Sequence, residues 1–351
     1  MLLPADPATP TRSGEAPINA AWDISMGSVR RLTEARLRTI LARQDPPAFG
    51  RNYQPAIRAV REEAPAQSRF AMVWSSVVDR EISTLSRPEK WVLYIVLYCP
   101  WLFDIQEQRM LPYLPAPHPL TGHPHARGMK LPSFRGTLAI AEELGALALH
   151  PVLHISSTDD PNVLEASPFP WIGDFLLFLL DDQGPFCINL SIKNTAEEFC
   201  VPSVGVKPNT DMKRAVRRAE IRHRTEQILY ADIDIPTIQV AADKLNTTVL
   251  ANLEQIYGWQ RRAHPFDEAQ RCEIVDALRA GVLAGVSALE VLHNMIATLG
   301  YTLYDLKVVM YQAIWNREIR INLYQHFFIE QPFLAEHQDV LDEFAHWFRR
   351  S

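Results

Sequence analysis

The sequence predicts an α/β protein in which a mixed sheet is flanked by helices and followed by a helical C-terminal domain. Four observations carry that expectation. Residues 175–180 form a continuous apolar run, too short for a helix and bounded by turn residues, which reads as a buried strand. Asp181 to Gly184 then make a hairpin turn, and a second apolar stretch returns as far as Lys193. Residues 91–101 are apolar nearly all round, as a helix buried against a sheet would be. Finally, residues 267–283, 287–299 and 302–315 show three successive helical patterns, the second ended by Gly300.

The totals narrow the function classes. At 351 residues the chain has room for two or three domains. A hydrophobic share of 47% with 22% charged residues describes an ordinary globular protein. The formal net charge of -6 excludes a generally basic nucleic-acid coat, so any nucleic-acid contact must come from local patches. The four cysteines are scattered with no CxxC pair, which argues against a zinc ribbon and fits a reducing cytoplasm. The apolar run at 91–99 is too short to span a bilayer, and Asp6 among prolines does not make a secretory leader.

In chain order, residues 1–20 read as a Pro-rich tail, and 23–43 as a helix with Arg30, Arg31, Arg36, Arg38 and Arg43 on a basic face. That face is either solvated or a DNA-contacting arm. Residues 70–74 and 77–85 form a hairpin that turns near Ser75 and Ser76. Ser86, Pro88 and Glu89 open the next helix as a capping box, which gives Glu89 a structural role. A carboxylate at the mouth of a buried helix is equally a place for a metal ligand. Residues 112–135 read as a surface loop whose His118, His123 and His125 lack a fourth zinc ligand, and His150 with His154 makes no better site.

Residues 212–231 read as a long helix. Arg214, Arg217, Arg218 and Arg222 fall on one face of it, suiting either a row of phosphates or plain solvation. A strand at 237–240, a helix at 243–257 and a linker at 258–265 follow. Extended segments at 319–323 and 327–329 suggest a small hairpin, so three helices and that hairpin make the last domain winged-helix-like. A final helix is expected at 338–349. The boundaries are thus 1–49 for the tail and basic helix, 50–257 for the α/β domain and 258–351 for the helical domain.

On the strand after the turn, Phe186, Ile188, Leu190 and Ile192 share one face, and Cys187, Asn189, Ser191 and Lys193 the other. Asp174 starts one strand of this hairpin and Lys193 ends the other, so a carboxylate and an ammonium can meet. A buried ion pair is one reading. The other is a resemblance to the Asp…x-x-Lys core of metal-dependent PD-(D/E)xK nucleases. Taken with Gly50-Arg51-Asn52-Tyr53-Gln54-Pro55, the 70–85 hairpin, Glu89 in its buried helix and Asp104-Ile105-Gln106-Glu107-Gln108, the chain resembles the TnsA family. That family is the endonuclease subunit of heteromeric transposases, and the likeness runs from about residue 50 to residue 258.

The resemblance implies a restriction-endonuclease-like fold that cuts the 5′ side of transposon ends during cut-and-paste transposition. It implies that Glu89 and Asp174 hold Mg²⁺, with Mn²⁺ able to substitute, and that Lys193 is catalytic. Glu226 resembles an acidic residue on the family's late helix that lies near the site. The family has Gln or an acidic residue two before the catalytic Lys, where this chain has Ser191, implying a looser ligand through water. Implied partners are transposon-end DNA, a DDE-type transposase and an AAA+ ATPase regulator, in the cytoplasm with the nucleoid and without a membrane. Two alternatives stand beside it: a stand-alone defence or repair nuclease of the same fold, and a non-cleaving architectural subunit.

Overall fold

Side-chain caps set where the helices begin, in a computed structural model that describes residues 32–66, 68–156, 164–201 and 211–350. Thr33 is extended and its hydroxyl accepts the Arg36 amide, so α1 covers Glu34–Gln44. The described part of the helix expected over 23–43 is helical from 34 onward; residues 1–31, with the tail, Arg30 and Arg31, lie outside the described residues. β1 (Ala71–Ser75) and β2 (Arg80–Thr84) pair antiparallel. The second strand begins later than expected because Asp79, at φ 51°, closes the turn in the left-handed region. Ser86 caps α2 (Arg87–Leu97), with Pro88 in its first turn and residues 92–97 buried.

β3 (Leu102–Glu107) is followed by α3 (Thr137–Glu143) and by a separate antiparallel hairpin of β4 (Val152–Ser156) and β5 (Leu164–Pro168). The central hairpin then forms as the sequence indicates. β6 (Phe175–Asp181) and β7 (Gly184–Lys193) join through Asp182 and Gln183, with Gly184 at φ 108°. Asp211 caps α4 (Met212–Ala231), which leads to β8 (Thr237–Ala241). The sheet order is β3-β6-β7-β8, with β8 parallel to β7 and the other pairs antiparallel, a mixed sheet.

The alternation of β7 divides the core. Ile188, Leu190 and Ile192 join α2 on one face, while Cys187, Leu176 and Phe178 meet Ile221, Leu229 and Tyr230 around α4 on the other. Slipping β7 by one residue would bring Asn189, Ser191 and Lys193 onto the α2 face. At roughly 1.5–3 kcal/mol per large apolar side chain lost from burial, the register is held by several kcal/mol.

Asn246 accepts the Thr248 and Val249 amides and so starts α5 (Thr247–Tyr257), later than residue 243 because Ala242–Lys244 make a 3-10 turn. Asp267, Ser287 and Thr302 cap α6 (Glu268–Ala284), α7 (Ala288–Leu299) and α8 (Leu303–Trp315). These three helices match the sequence patterns closely. One cluster of buried apolar side chains runs from the α2 face of the sheet through α5 to α8, so the core crosses the 258–265 segment without a break.

The C-terminal stretch departs from expectation. No strand forms at 327–329; Phe327 turns inward against Phe333, ring centroids 5.4 Å apart, and Ile321 meets Ala335 in an isolated bridge. The last helix shortens to α9 (Val340–Glu343), because Phe344, Trp347 and Phe348 are all drawn into the core. Arg350 then reaches the tip of the central hairpin, its Nε 2.7 Å from Asp181 Oδ2.

The 112–135 segment is a loop exposed along most of its length, as expected, but buried residues anchor it. His118, Leu120 and Phe134 are buried, and His118 Nδ1 accepts the Leu120 amide. Burial, and then the charge of Arg109, push His118 down to about 4, so it is neutral. His123 and His125 stack on each other, and Phe103 meets His123 at a tilt and His125 edge-on. His150 is buried on Thr137 at 2.9 Å while His154 is exposed, so the two do not form a pair. No helix among the described residues is long and apolar enough to cross a membrane.

Candidate active site

Strand direction brings the singled-out residues to one end of the sheet. β6 runs opposite to β3 and β7, so its start lies beside their ends. Asp174 stands just before β6 and Lys193 closes β7, with Nζ 3.8 Å from Asp174 Oδ2. The same carboxylate oxygen accepts the Ile192 amide at 2.6 Å. Lys193 also donates to the Ile192 carbonyl at 3.1 Å, which bends the ammonium back over the strand end.

Glu89 enters from the first turn of α2. Its Oε2 accepts the Leu85 amide at 2.8 Å and the Gln108 side-chain amide at 3.0 Å, and its Oε1 accepts the Ser86 hydroxyl at 2.7 Å. Only half of the expected capping box forms: the Ser86 hydroxyl accepts the Glu89 amide, but the carboxylate takes the Leu85 amide instead of the Ser86 amide. Burial, and then the charge of Asp174, raise the Glu89 carboxyl from the ordinary 4.5 to about 7, against the hydrogen bonds and Lys193.

Gln108 ties these groups together, and it was not singled out for the site. At φ 47° it takes a left-handed turn just past β3, so its amide donates to the Asp174 carbonyl at 2.8 Å while its side chain holds Glu89. The signal available was its place immediately after a strand that pairs with β6. Glu107, next to it, is instead fully buried in a two-pronged pair with Arg80, both contacts 2.8 Å, and also accepts the Ser83 amide.

Ser191 and Glu226 form a second polar group, on the α4 face. The Ser191 hydroxyl points at Glu226 Oε2, 3.5 Å away, and Asn189 donates to Oε1 at 3.2 Å. His223 Nδ1 lies 3.8 Å from Oε2, outside hydrogen-bond reach. Burial works to raise Glu226, but His223, Arg222 and Asn189 outweigh it and hold the carboxyl below its ordinary value. Burial lowers His223, so it is neutral at pH 7.

The basic row on α4 is split. Arg214 and Arg217 are exposed, Arg217 beside Glu220 at 3.8 Å. Arg218 is half-buried, and Arg222 donates inward to the Ile172 carbonyl at 2.7 Å, two residues before Asp174. Helical spacing put the four on one side, but that side curves into the protein as α4 settles on the sheet. Only the first two offer an open phosphate contact.

Two neighbouring carboxylates fit a divalent ion, because the charge of Asp174 helps raise Glu89 and a cation between them would relieve that repulsion. Mg²⁺ uses one or two carboxylates with waters and substrate phosphates, so this donor set suits it. Among the described residues no group of three or more His, Cys, Asp or Glu is placed to enclose an ion. The remaining ligands would therefore be water and phosphate. No family model matches this chain, and no curated protein is significantly similar to it.

Proposed function

We propose that this chain is a metal-dependent DNA endonuclease, acting as the cleaving subunit of a heteromeric transposase on the 5′ side of transposon ends. The observation that carries the reading is the meeting of Glu89, Asp174 and Lys193 at one end of the sheet, with Lys193 Nζ 3.8 Å from Asp174 and Glu89 raised to about 7. Glu89 and Asp174 would hold Mg²⁺, or Mn²⁺ in its place. Bound there, the ion would polarise the scissile phosphate and lower the pKa of a coordinated water. Lys193 orients that water or steadies charge on the phosphate, and Gln108 keeps Glu89 turned toward Asp174. Arg214 and Arg217 hold backbone phosphates without reading bases.

A restriction-endonuclease-like arrangement is supported by the four-stranded mixed sheet between α2 and α4. A winged-helix-like role for α6, α7 and α8 rests on their number and order. The partners that belong to this reading are a DDE-type transposase, an AAA+ ATPase and transposon-end DNA, in the cytoplasm.

A second reading, a non-cleaving architectural subunit, is favoured by the engagement of Ser191 with Glu226. Nicking of supercoiled plasmid in Mg²⁺ or Mn²⁺ separates the two. The endonuclease reading expects nicking by the parent chain and none by Asp174→Asn. An inert parent that still binds DNA favours the architectural reading.

A further inference from the structure

The segment between α5 and α6 carries Trp259, Arg261 and Arg262, and its cations lie on aromatic rings instead of beside carboxylates. Arg262 sits 4.2 Å from the centre of the Trp259 ring and 5.8 Å from that of Tyr304. Lys307 lies 5.3 Å from the same Trp259 ring. In the other direction Arg261 covers Trp74 of β1 at 5.0 Å. Tyr257, just before this segment, meets Tyr94 of α2 with ring centroids 5.2 Å apart; Tyr94 is buried and supports the stripe from beneath. From Tyr94 the stripe climbs α2 to Trp91 and to Arg87, whose guanidinium covers the Trp91 ring at 4.5 Å. Residues 87, 91 and 94 share one helix face. That face spans about 10 Å of helix and ends at the turn that carries Glu89.

Arg87, Arg261 and Arg262 are exposed and Lys307 is half-buried. None of the four makes an ion pair among the described residues. Lys90 is neutralised by Glu254 at 2.6 Å, and Glu81, opposite Trp74 in the hairpin, is the acid facing the stripe. A surplus of cations here contrasts with the net charge of -6 for the chain. Arg262 donates Nε to the Gly258 carbonyl and one Nη to the Tyr304 hydroxyl, both at 3.3 Å, which fixes it over the ring and leaves its other Nη for a phosphate oxygen. The guanidiniums lie over the rings, so such a surface grips backbone and does not stack bases. The need is also visible, since α4 turns Arg222 inward.

We propose that this cation–aromatic stripe binds the sugar–phosphate backbone of duplex DNA flanking the candidate site, an inference that rests on the endonuclease reading. The stripe and the site then hold one duplex, with the C-terminal helices gripping the DNA away from the bond that is cut. An acidic protein face is the competing occupant.

The test uses the full chain and a fluorescent duplex several turns long, followed by anisotropy without divalent metal at a series of salt concentrations. The variants are Arg261→Gln with Arg262→Gln, Arg87→Gln, and Arg349→Gln, where Arg349 pairs with Asp342, as a control outside the stripe. Gln keeps the stem and removes the charge, and thermal melting of each variant reports its fold; if the double variant melts early, Arg87→Gln carries the test. The double variant is expected to bind at least about tenfold more weakly and to lose about 2 from the log–log salt slope, and Arg87→Gln about 1. Arg349→Gln should match the parent. Parent-like affinity and slope in both stripe variants would overturn the inference and leave the surface to a protein. The endonuclease reading survives that result if the parent nicks plasmid. A parent that neither binds nor nicks removes both.

Discussion

Glu89→Gln should make the metal-free protein more stable at pH 8 while removing cleavage. The native carboxyl is raised from the ordinary 4.5 to about 7, by burial first and then by Asp174. A raised acid binds its proton more tightly when folded, so the folded state loses stability as pH climbs from about 4.5 to about 7. At about 1.4 kcal/mol per pH unit, that gap costs the native chain about 3 kcal/mol above pH 7. Glutamine escapes the cost and keeps the contacts. Its carbonyl can accept from Leu85 and Gln108, and its amide can donate to the Ser86 hydroxyl. Urea unfolding at pH 5 and pH 8 in chelator measures the difference. The variant should gain up to about 3 kcal/mol over the parent at pH 8 and little at pH 5. A variant equal to or weaker than the parent at pH 8, or a difference independent of pH, would refute the reasoning.

The other expectations follow from single contacts. Arg80→Ala should cost about 3–5 kcal/mol in urea unfolding, because it leaves the fully buried Glu107 without its partner; a cost below 1 kcal/mol would mean Glu107 is neutral when folded. Ser191→Glu would set a second carboxylate against Glu226 and should destabilise the chain by about 3 kcal/mol at pH 7, less at pH 4, whereas unchanged stability would place the side chain elsewhere. Gln108→Asn shortens the donor that favours ionised Glu89, so the acid limb of the nicking profile should move to higher pH; a profile that stays put removes Gln108 from the site.

How far the sequence could be read depended on how local the determining physics was. The β6–β7 hairpin was legible because a short apolar run, two acidic turn residues and Gly184 all point the same way. Glu89 was legible through its cap, and α4 and α6 to α8 through their periodicity. The pairing of Asp174 with Lys193 followed from hairpin geometry alone. The stretch from 109 to 173 was not legible: α3 and the β4–β5 hairpin carry no strong pattern. Nor could its proline-rich composition show that His118 and Phe134 are buried under α4's side of the sheet. Periodicity gathered four arginines on one side of α4, yet only tertiary packing determines that Arg222 spends its donor on the Ile172 carbonyl. Gln108 and the Arg80–Glu107 pair depend on contacts between segments distant in sequence, which no window of residues reveals.

The most direct measurement is the rate of plasmid nicking in Mg²⁺ by the parent chain and by Lys193→Ala, with DNA binding measured on the same preparations. Lys193 lies at the strand end, partly open to solvent, so its loss should leave the fold and the affinity for DNA intact. If Glu89, Asp174 and Lys193 form a nuclease site, the parent nicks and the variant is slower by about a hundredfold or more. Nicking by Lys193→Ala at the parent's rate would contradict the assignment.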